Sequence, residues 1–239
     1  MKPRHLAARA AAFGIVVFAA VSGGVAWSQN ADEDWARFSQ AGVQAYGSNQ
    51  IETALENLEA AMKIADANFA EDDPRLLGSL LNLTPVYSSL DRFDEAVVLA
   101  ERAVGLHTKF GGPENPNLTV SLPMLGAIYR DLGQFDEAAT TLGQASDLMD
   151  LVMGEFHPRA LTVREEFAIA LFRAGRLDDA VAMFELILPM WEQSLGPNHI
   201  RSAMSFTAYA GLLRDVGRED DAAAAEIKVI EIRQAWDVR

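Results

Sequence analysis

The sequence predicts an all-α protein made of five successive helix pairs. Three observations support this prediction. A period of 42 residues runs along the chain, apolar residues within each period recur at the spacing of a helix face, and a glycine or another turn residue separates the two halves of each repeat. The 239 residues are 50% hydrophobic, which is enough to bury a continuous core.

One alanine marks the same place in every repeat. The members of this column are Ala54, Ala96, Ala138, Ala180 and Ala222. An acidic pair precedes most of them, which suits the first turn of a helix because that end of the helix carries partial positive charge. We expect the alanines to lie where two helices approach closely, since a larger side chain there would force the helices apart.

The third repeat shows how one helix pair is built. Leu122, Leu125 and Ile128 recur at helical spacing, Gly133 supplies a left-handed residue that ends the first helix, and Phe135 begins the apolar face of the second. The same order in the other repeats predicts a series of tight helical hairpins.

Two histidines, His157 and His199, occupy equivalent turns of neighbouring repeats. Neither has a second ligand three or four residues away, so a metal site is not predicted, and each is better placed to cap a helix. The chain has no cysteine, no phosphate loop and no Ser-His-Asp order. We therefore predict no catalytic, cofactor-binding or metal-binding residue, and a protein that is not an enzyme.

The third repeat also carries a family pattern. Its residues are Leu122, Leu125, Gly126, Tyr129, Ala138, Leu142 and Ala145. At these spacings the repeat resembles the tetratricopeptide repeat (TPR) family, and the similarity extends over about residues 35 to 236. Each repeat is longer than the family's usual 34 residues, and the turn from Gly154 to Pro158 is similar to that of the longer kinesin-light-chain variant.

The resemblance implies a right-handed α-solenoid over residues 35–239, with a concave groove lined by first helices and used to hold partners. The expected repeats are about 35–75, 76–117, 118–159, 160–201 and 202–239. The groove positions implied by the family are Tyr46, Leu81, Pro85, Arg130, Glu165, Ile169, Phe172, Arg173 and Arg214.

Arginines recur near the ends of successive first helices in this groove, at Arg130, Arg173 and Arg214. One interpretation is a positive strip that grips the carboxylates of a partner. The other is that each arginine pairs with a nearby acid of its own chain, such as Asp131. Residue patterns alone leave both interpretations open.

The last predicted helix has an apolar face that no later repeat covers. Ile230 and Trp236 belong to it. Terminal repeats normally present a polar outer face, so this helix is a candidate surface for self-association into a homo-oligomer.

Residues 1–28 have the pattern of a secretory signal peptide, because basic residues precede a short apolar run and a small-residue site. Cleavage is expected before Gln29 or after Ala26, and 29–34 forms a short linker. A retained membrane anchor is the alternative, but the run is short and contains glycines. This pattern predicts secretion across the inner membrane, a periplasmic location and no stable membrane insertion after cleavage.

The chain carries a net charge of −14, and removal of Lys2, Arg4 and Arg9 with the leader would leave 17 basic against 34 acidic side chains, or −17. Nucleic acid is therefore not expected as a partner. The leading hypothesis is an exported scaffold that binds a protein or peptide segment and organises a cell-envelope complex. The alternatives are a noncatalytic regulatory subunit of an envelope enzyme system and a structural homo-oligomer.

Overall fold

The computed structural model of the chain describes residues 31–237, together with the side chains of residues 31–235. The predicted leader over 1–28 and the side chain of Trp236 lie outside these residues. The described part consists of ten α-helices: α1 (Ala31–Gly47), α2 (Ile51–Asn68), α3 (Pro74–Ser89), α4 (Phe93–Gly111), α5 (Leu118–Asp131), α6 (Phe135–Met153), α7 (Pro158–Arg173), α8 (Leu177–Leu195), α9 (Ile200–Asp215) and α10 (Glu219–Asp237).

The chain divides into two compact units at Leu132 and Gly133, within the third repeat. Unit 1 holds α1 to α5 and unit 2 holds α6 to α10. Leu58 and Leu80 are among the fully buried side chains of unit 1, and Phe184 and Trp191 among those of unit 2. None of the ten helices is long and apolar enough to span a membrane.

α1 begins at Ala31, inside the predicted linker 29–34. Its first turn carries Asp32, Glu33 and Asp34, and carboxylates are stabilising at a helix N-terminus. Trp35 is 3% exposed and donates a 2.8 Å hydrogen bond to Ser79, which attaches the start of α1 to α3.

A single column of residues caps three of the first helices, α3, α7 and α9. Asp73, His157 and His199 each accept a hydrogen bond from the backbone N–H two residues ahead, at 2.8, 3.2 and 3.1 Å. Asn115 holds the same repeat position and accepts from the Asn117 N–H at 3.1 Å, but this bond lies in the loop before α5, which begins only at Leu118. The capping role predicted for the two histidines is confirmed, and it uses the Nδ1 atom of each ring.

The turn within each pair needs a left-handed residue. Gly133, Gly175 and Gly217 adopt φ of 76° to 79°, and Asn49 and Asp91 adopt 59° and 56° in the corresponding place. Asparagine and aspartate tolerate this region better than most residues, so the turn keeps its geometry without glycine.

The alanine column behaves as predicted. Four of its members have no exposed surface and Ala222 is 1% exposed. Close helix approach also occurs in α1, where a Cβ added to Gly42 would lie 2.5 Å from Leu58 Cγ on α2. Small residues at these points therefore set the packing distance within a pair.

Candidate partner-binding site

A cleft of about 490 Å³ opens in unit 1 among α3, the end of α4, the loop that follows and the start of α5. We call it the unit 1 cleft. Its walls are apolar, formed by Leu77 and Leu81 one turn apart on α3, by Leu106 on α4 and by Val120 on α5. This volume lies within the range of clefts that bury small ligands.

The rim of the unit 1 cleft combines one aromatic, one acidic and one amide side chain. Phe110, in the last turn of α4, is 50% exposed although it is a large apolar residue. Asp72 and Asn117 are exposed on the loops before α3 and before α5. An apolar interior with few polar groups at its edge is the usual chemistry of a binding cleft.

His107 is the one titratable group deep in this cleft among the residues that line it. It is 5% exposed, its Nδ1 lies 3.0 Å from Ser121 Oγ, and its carbonyl accepts a 2.7 Å hydrogen bond from the Asn115 amide. Burial lowers the pKa of the His107 imidazole, so the ring is neutral at neutral pH. It adds no positive charge to the cleft.

Of the groove residues expected in unit 1, Leu81 lines the unit 1 cleft, whereas Tyr46 and Pro85 are buried in the packing of α1 against α3. The Tyr46 hydroxyl lies 3.0 Å from Ser89 Oγ and donates a 3.4 Å hydrogen bond to the Pro85 carbonyl. Tyr46 is 5% exposed, so it holds two helices together instead of presenting a contact surface.

The predicted groove residues of α7 differ in how far they are buried. Glu165 is 7% exposed and lies 3.2 Å from Arg201 on α9. Burial raises the pKa of the Glu165 carboxyl, and the positive charge of Arg201 opposes this rise. Ile169 and Phe172 are half-buried on α7. Glu165 therefore belongs to the interior of unit 2.

The three groove arginines have different surroundings. Arg130 lies 3.4 Å from Asp131, and Arg214 forms an ion pair with Glu226. Arg173 is exposed, and no carboxylate within residues 31–235 lies within ion-pair distance of it. Internal pairing thus accounts for two of the three, and one remains available to a partner.

On α10, Ile230 is 55% exposed and Ile227 is 58% exposed. They lie on the same side of the helix, because residues three apart are neighbours on a helix surface. Trp236, the other predicted self-association residue, has its side chain outside the described part. In the described range, no three His, Cys, Asp or Glu side chains lie close enough to hold a metal ion.

The unit 1 cleft was not predicted from the sequence. The expected groove was confined to first helices, whereas Phe110 and His107 come from the end of a second helix. One signal was present, since Phe110 is a large apolar residue directly before the Gly111-Gly112 pair that ends α4. Its exposure depends on the loop that follows, which helical periodicity does not describe.

A family model described as Tetratricopeptide repeat matches three overlapping stretches, residues 86–151, 117–189 and 159–235. These stretches together cover more than half of the chain. A search of curated protein sequences finds no match.

Several solved structures are similar to the chain. A protein from Podosopora anserina described as a kinesin light chain with nearly identical TPR-like repeats aligns with a TM-score of 0.77 and 23% identity, over 86% of this chain and 97% of that one. BtubC (BKLC) from P. vanneervenii aligns with a TM-score of 0.63 and 16% identity, over 88% and 93%. MamA of AMB-1 aligns with a TM-score of 0.60 and 20% identity, over 83% and 98%. The all-α fold of TPR-like repeats is therefore confirmed.

Proposed function

This chain belongs to the tetratricopeptide repeat family, and we propose that it is a noncatalytic scaffold that holds a segment of another protein in the unit 1 cleft. TPR domains typically bind proteins or peptides, and helical repeat surfaces serve as extended binding surfaces. The proposal therefore places the peptide binding that is typical of the family in the unit 1 cleft of this chain.

The observation that carries the proposal is the exposed Phe110 beside an apolar cleft. Exposed aromatic side chains next to apolar pockets are enriched where proteins bind partners. Leu77 and Val120 in the walls are only half-buried, so a partner side chain placed there would remove further apolar surface from water.

We further propose that the scaffold works in the periplasm, in the assembly or organisation of an envelope complex. Support comes from the leader pattern over residues 1–28. The test is N-terminal sequencing of the protein recovered from periplasmic extract. A first residue at Trp27 or Gln29 supports export, and an intact Met1 in the cytoplasmic fraction overturns it.

Affinity capture from envelope extract tests the binding site. The bait is the mature chain as wild type, as Phe110→Ser and as Val98→Ser. Val98 is 60% exposed on the same helix but does not line the cleft, so it is a matched control. Loss of one partner with Phe110→Ser alone supports the proposal, whereas equal retention by all three baits overturns the cleft as the site.

The identity of a captured partner separates an assembly scaffold from the alternative of a regulatory subunit. If the partner is an enzyme whose activity changes when the mature chain binds, the regulatory role is favoured.

A second candidate function, a structural homo-oligomer, is favoured by the exposed Ile227 and Ile230 of α10. Sedimentation of wild type and of Ile227→Glu/Ile230→Glu distinguishes it from a monomeric scaffold. An oligomer that dissociates in the variant supports self-association through α10, and a monomer in both proteins removes this candidate.

A further inference from the structure

The rim of the unit 1 cleft carries an acidic group, Asp72, that no basic side chain of the described residues neutralises. Asp72 is exposed, and no basic side chain within residues 31–235 lies within ion-pair distance of its carboxylate. In a chain with a net charge of −14, an unpaired carboxylate beside a binding cleft favours a positively charged ligand group.

The basic side chains nearest in sequence to this rim are already engaged. Lys109 pairs with Glu71, and its ammonium lies 5.1 Å from the centre of the Phe110 ring. Arg75 binds Asp73 at 2.6 Å, pairs with Asp32 and lies over the Phe69 ring at 3.7 Å. His107 is buried and neutral. Among the described residues, the positive charges of Lys109 and Arg75 are therefore already balanced by carboxylates, and His107 adds none.

The interior of the cleft accepts an apolar group. Leu77, Leu81, Leu106 and Val120 form the walls, and Phe110 at the mouth lies ready to cover one side of a bound group. Burial of a large aliphatic or aromatic side chain there would remove apolar surface from water, so such a side chain is suited to anchor a bound segment.

Asn117 supplies the remaining interaction. Its backbone N–H donates to Asn115 Oδ1, but its side-chain amide has no hydrogen-bond partner among residues 31–235. A side-chain amide both donates and accepts, so it is suited to bind the backbone of an extended peptide that passes over the rim.

We propose that the unit 1 cleft recognises a short segment in which a large apolar residue stands next to a lysine or arginine. The apolar side chain enters the cleft against Phe110, the cation lies at Asp72, and Asn117 binds the backbone between them. This inference rests on the proposed scaffold function and adds the chemical class of the partner.

Fluorescence anisotropy with defined peptides tests the inference. The probes are labelled dodecapeptides of Gly and Ser that carry a central Lys-Leu, Lys-Phe or Lys-Trp. Matched probes replace Lys by Glu, or the apolar residue by Ser. At low salt we expect the wild type to bind the Lys probes about fivefold more tightly than the Glu probes, and the preference to shrink with added salt. Probes without an apolar residue should bind weakest.

Reversing the charge of Asp72 tests the inference more directly than the wild-type measurements alone. Asp72→Lys should reverse the preference between the two probe charges, so that the Glu probes bind more tightly than the Lys probes. Glu56→Lys, an exposed acid on α2 away from the cleft, is the control and should keep the wild-type preference. Phe110→Ser should weaken all apolar probes. Circular dichroism of each variant confirms that it is folded.

The inference is overturned if Lys and Glu probes bind wild type equally, if Asp72→Lys keeps the original preference, or if no probe binds. In each of these cases the proposed function still stands when a captured partner depends on Phe110. If the partner is instead retained by Phe110→Ser, the binding site itself is wrong. The two proposals therefore fail in distinguishable ways.

Discussion

The Tyr87 hydroxyl donates a 2.9 Å hydrogen bond to Glu59, which joins the first helix of the second repeat to the second helix of the first repeat. The same bond recurs one repeat later, from Tyr129 to Glu101 at 2.7 Å. Burial and the Glu59 carboxylate raise the pKa of Tyr87 to about 12, so the phenol remains a donor at neutral pH. A polar tie thus accompanies the apolar contacts between neighbouring pairs in unit 1.

We predict that Tyr87→Phe lowers the free energy of unfolding by about 0.5–1 kcal/mol, because a partly exposed hydrogen bond to a charged group is lost. Urea denaturation measures this change. In a Glu59→Ala background the same substitution should cost less, since the acceptor is already missing. An equal cost in both backgrounds would show that the bond contributes nothing.

The cap at His157 gives a second prediction. His157→Ala should destabilise the protein by about 1 kcal/mol, because the Arg159 N–H at the start of α7 loses its acceptor. His157→Asn should recover most of this, because asparagine is among the preferred N-cap residues. Denaturation monitored by circular dichroism compares the two with Glu155→Ala, an exposed neighbour. Equal stability of the Asn and Ala variants would contradict the capping role.

The alanine column predicts a packing penalty. Ala138 has no exposed surface, so Ala138→Leu should lower the free energy of unfolding by about 1–3 kcal/mol. Ala223→Leu on the exposed side of α10 is the control, and it should change stability little because both residues favour helices. Guanidinium denaturation measures both, and a neutral Ala138→Leu would show that α6 tolerates wider spacing at this point.

The buried Glu165 predicts a pH dependence. Its pKa is raised in the folded protein, so its stabilising contribution is present below the unfolded value of about 4.3 and is lost as pH rises through the folded value. Glu165→Gln does not titrate. The stability of this variant relative to wild type should therefore increase between about pH 4 and pH 7.

Free energies of unfolding at the two pH values test this, with Glu231→Gln on the exposed side of α10 as the control. A relative stability of Glu165→Gln that falls with pH would mean that the attraction of Arg201 outweighs the cost of burial.

The residues of one predicted groove prove to have several roles. Leu81 reaches the unit 1 cleft, Tyr46 is buried against α3, and Arg214 pairs with Glu226, whereas Arg173 has no ion-pair partner among the side chains that the structure describes. Family spacing placed all four on first helices, which is correct. Family spacing did not separate the exposed residues from the buried ones, because exposure depends on the side chains that neighbouring helices contribute.

The sequence alone determined the repeat, because the same residues recur at a fixed period of 42. It also determined the ten helices, the turn residues and the capping histidines, because these follow from spacing within a few residues of the chain. The unit 1 cleft and the pairing of its charges were decided only by the tertiary structure. Asp72, Phe110 and Asn117 come from three different connections or helix ends. Such residues meet only when the helices pack, and long-range packing, unlike a local period, leaves no regular pattern in the order of the residues.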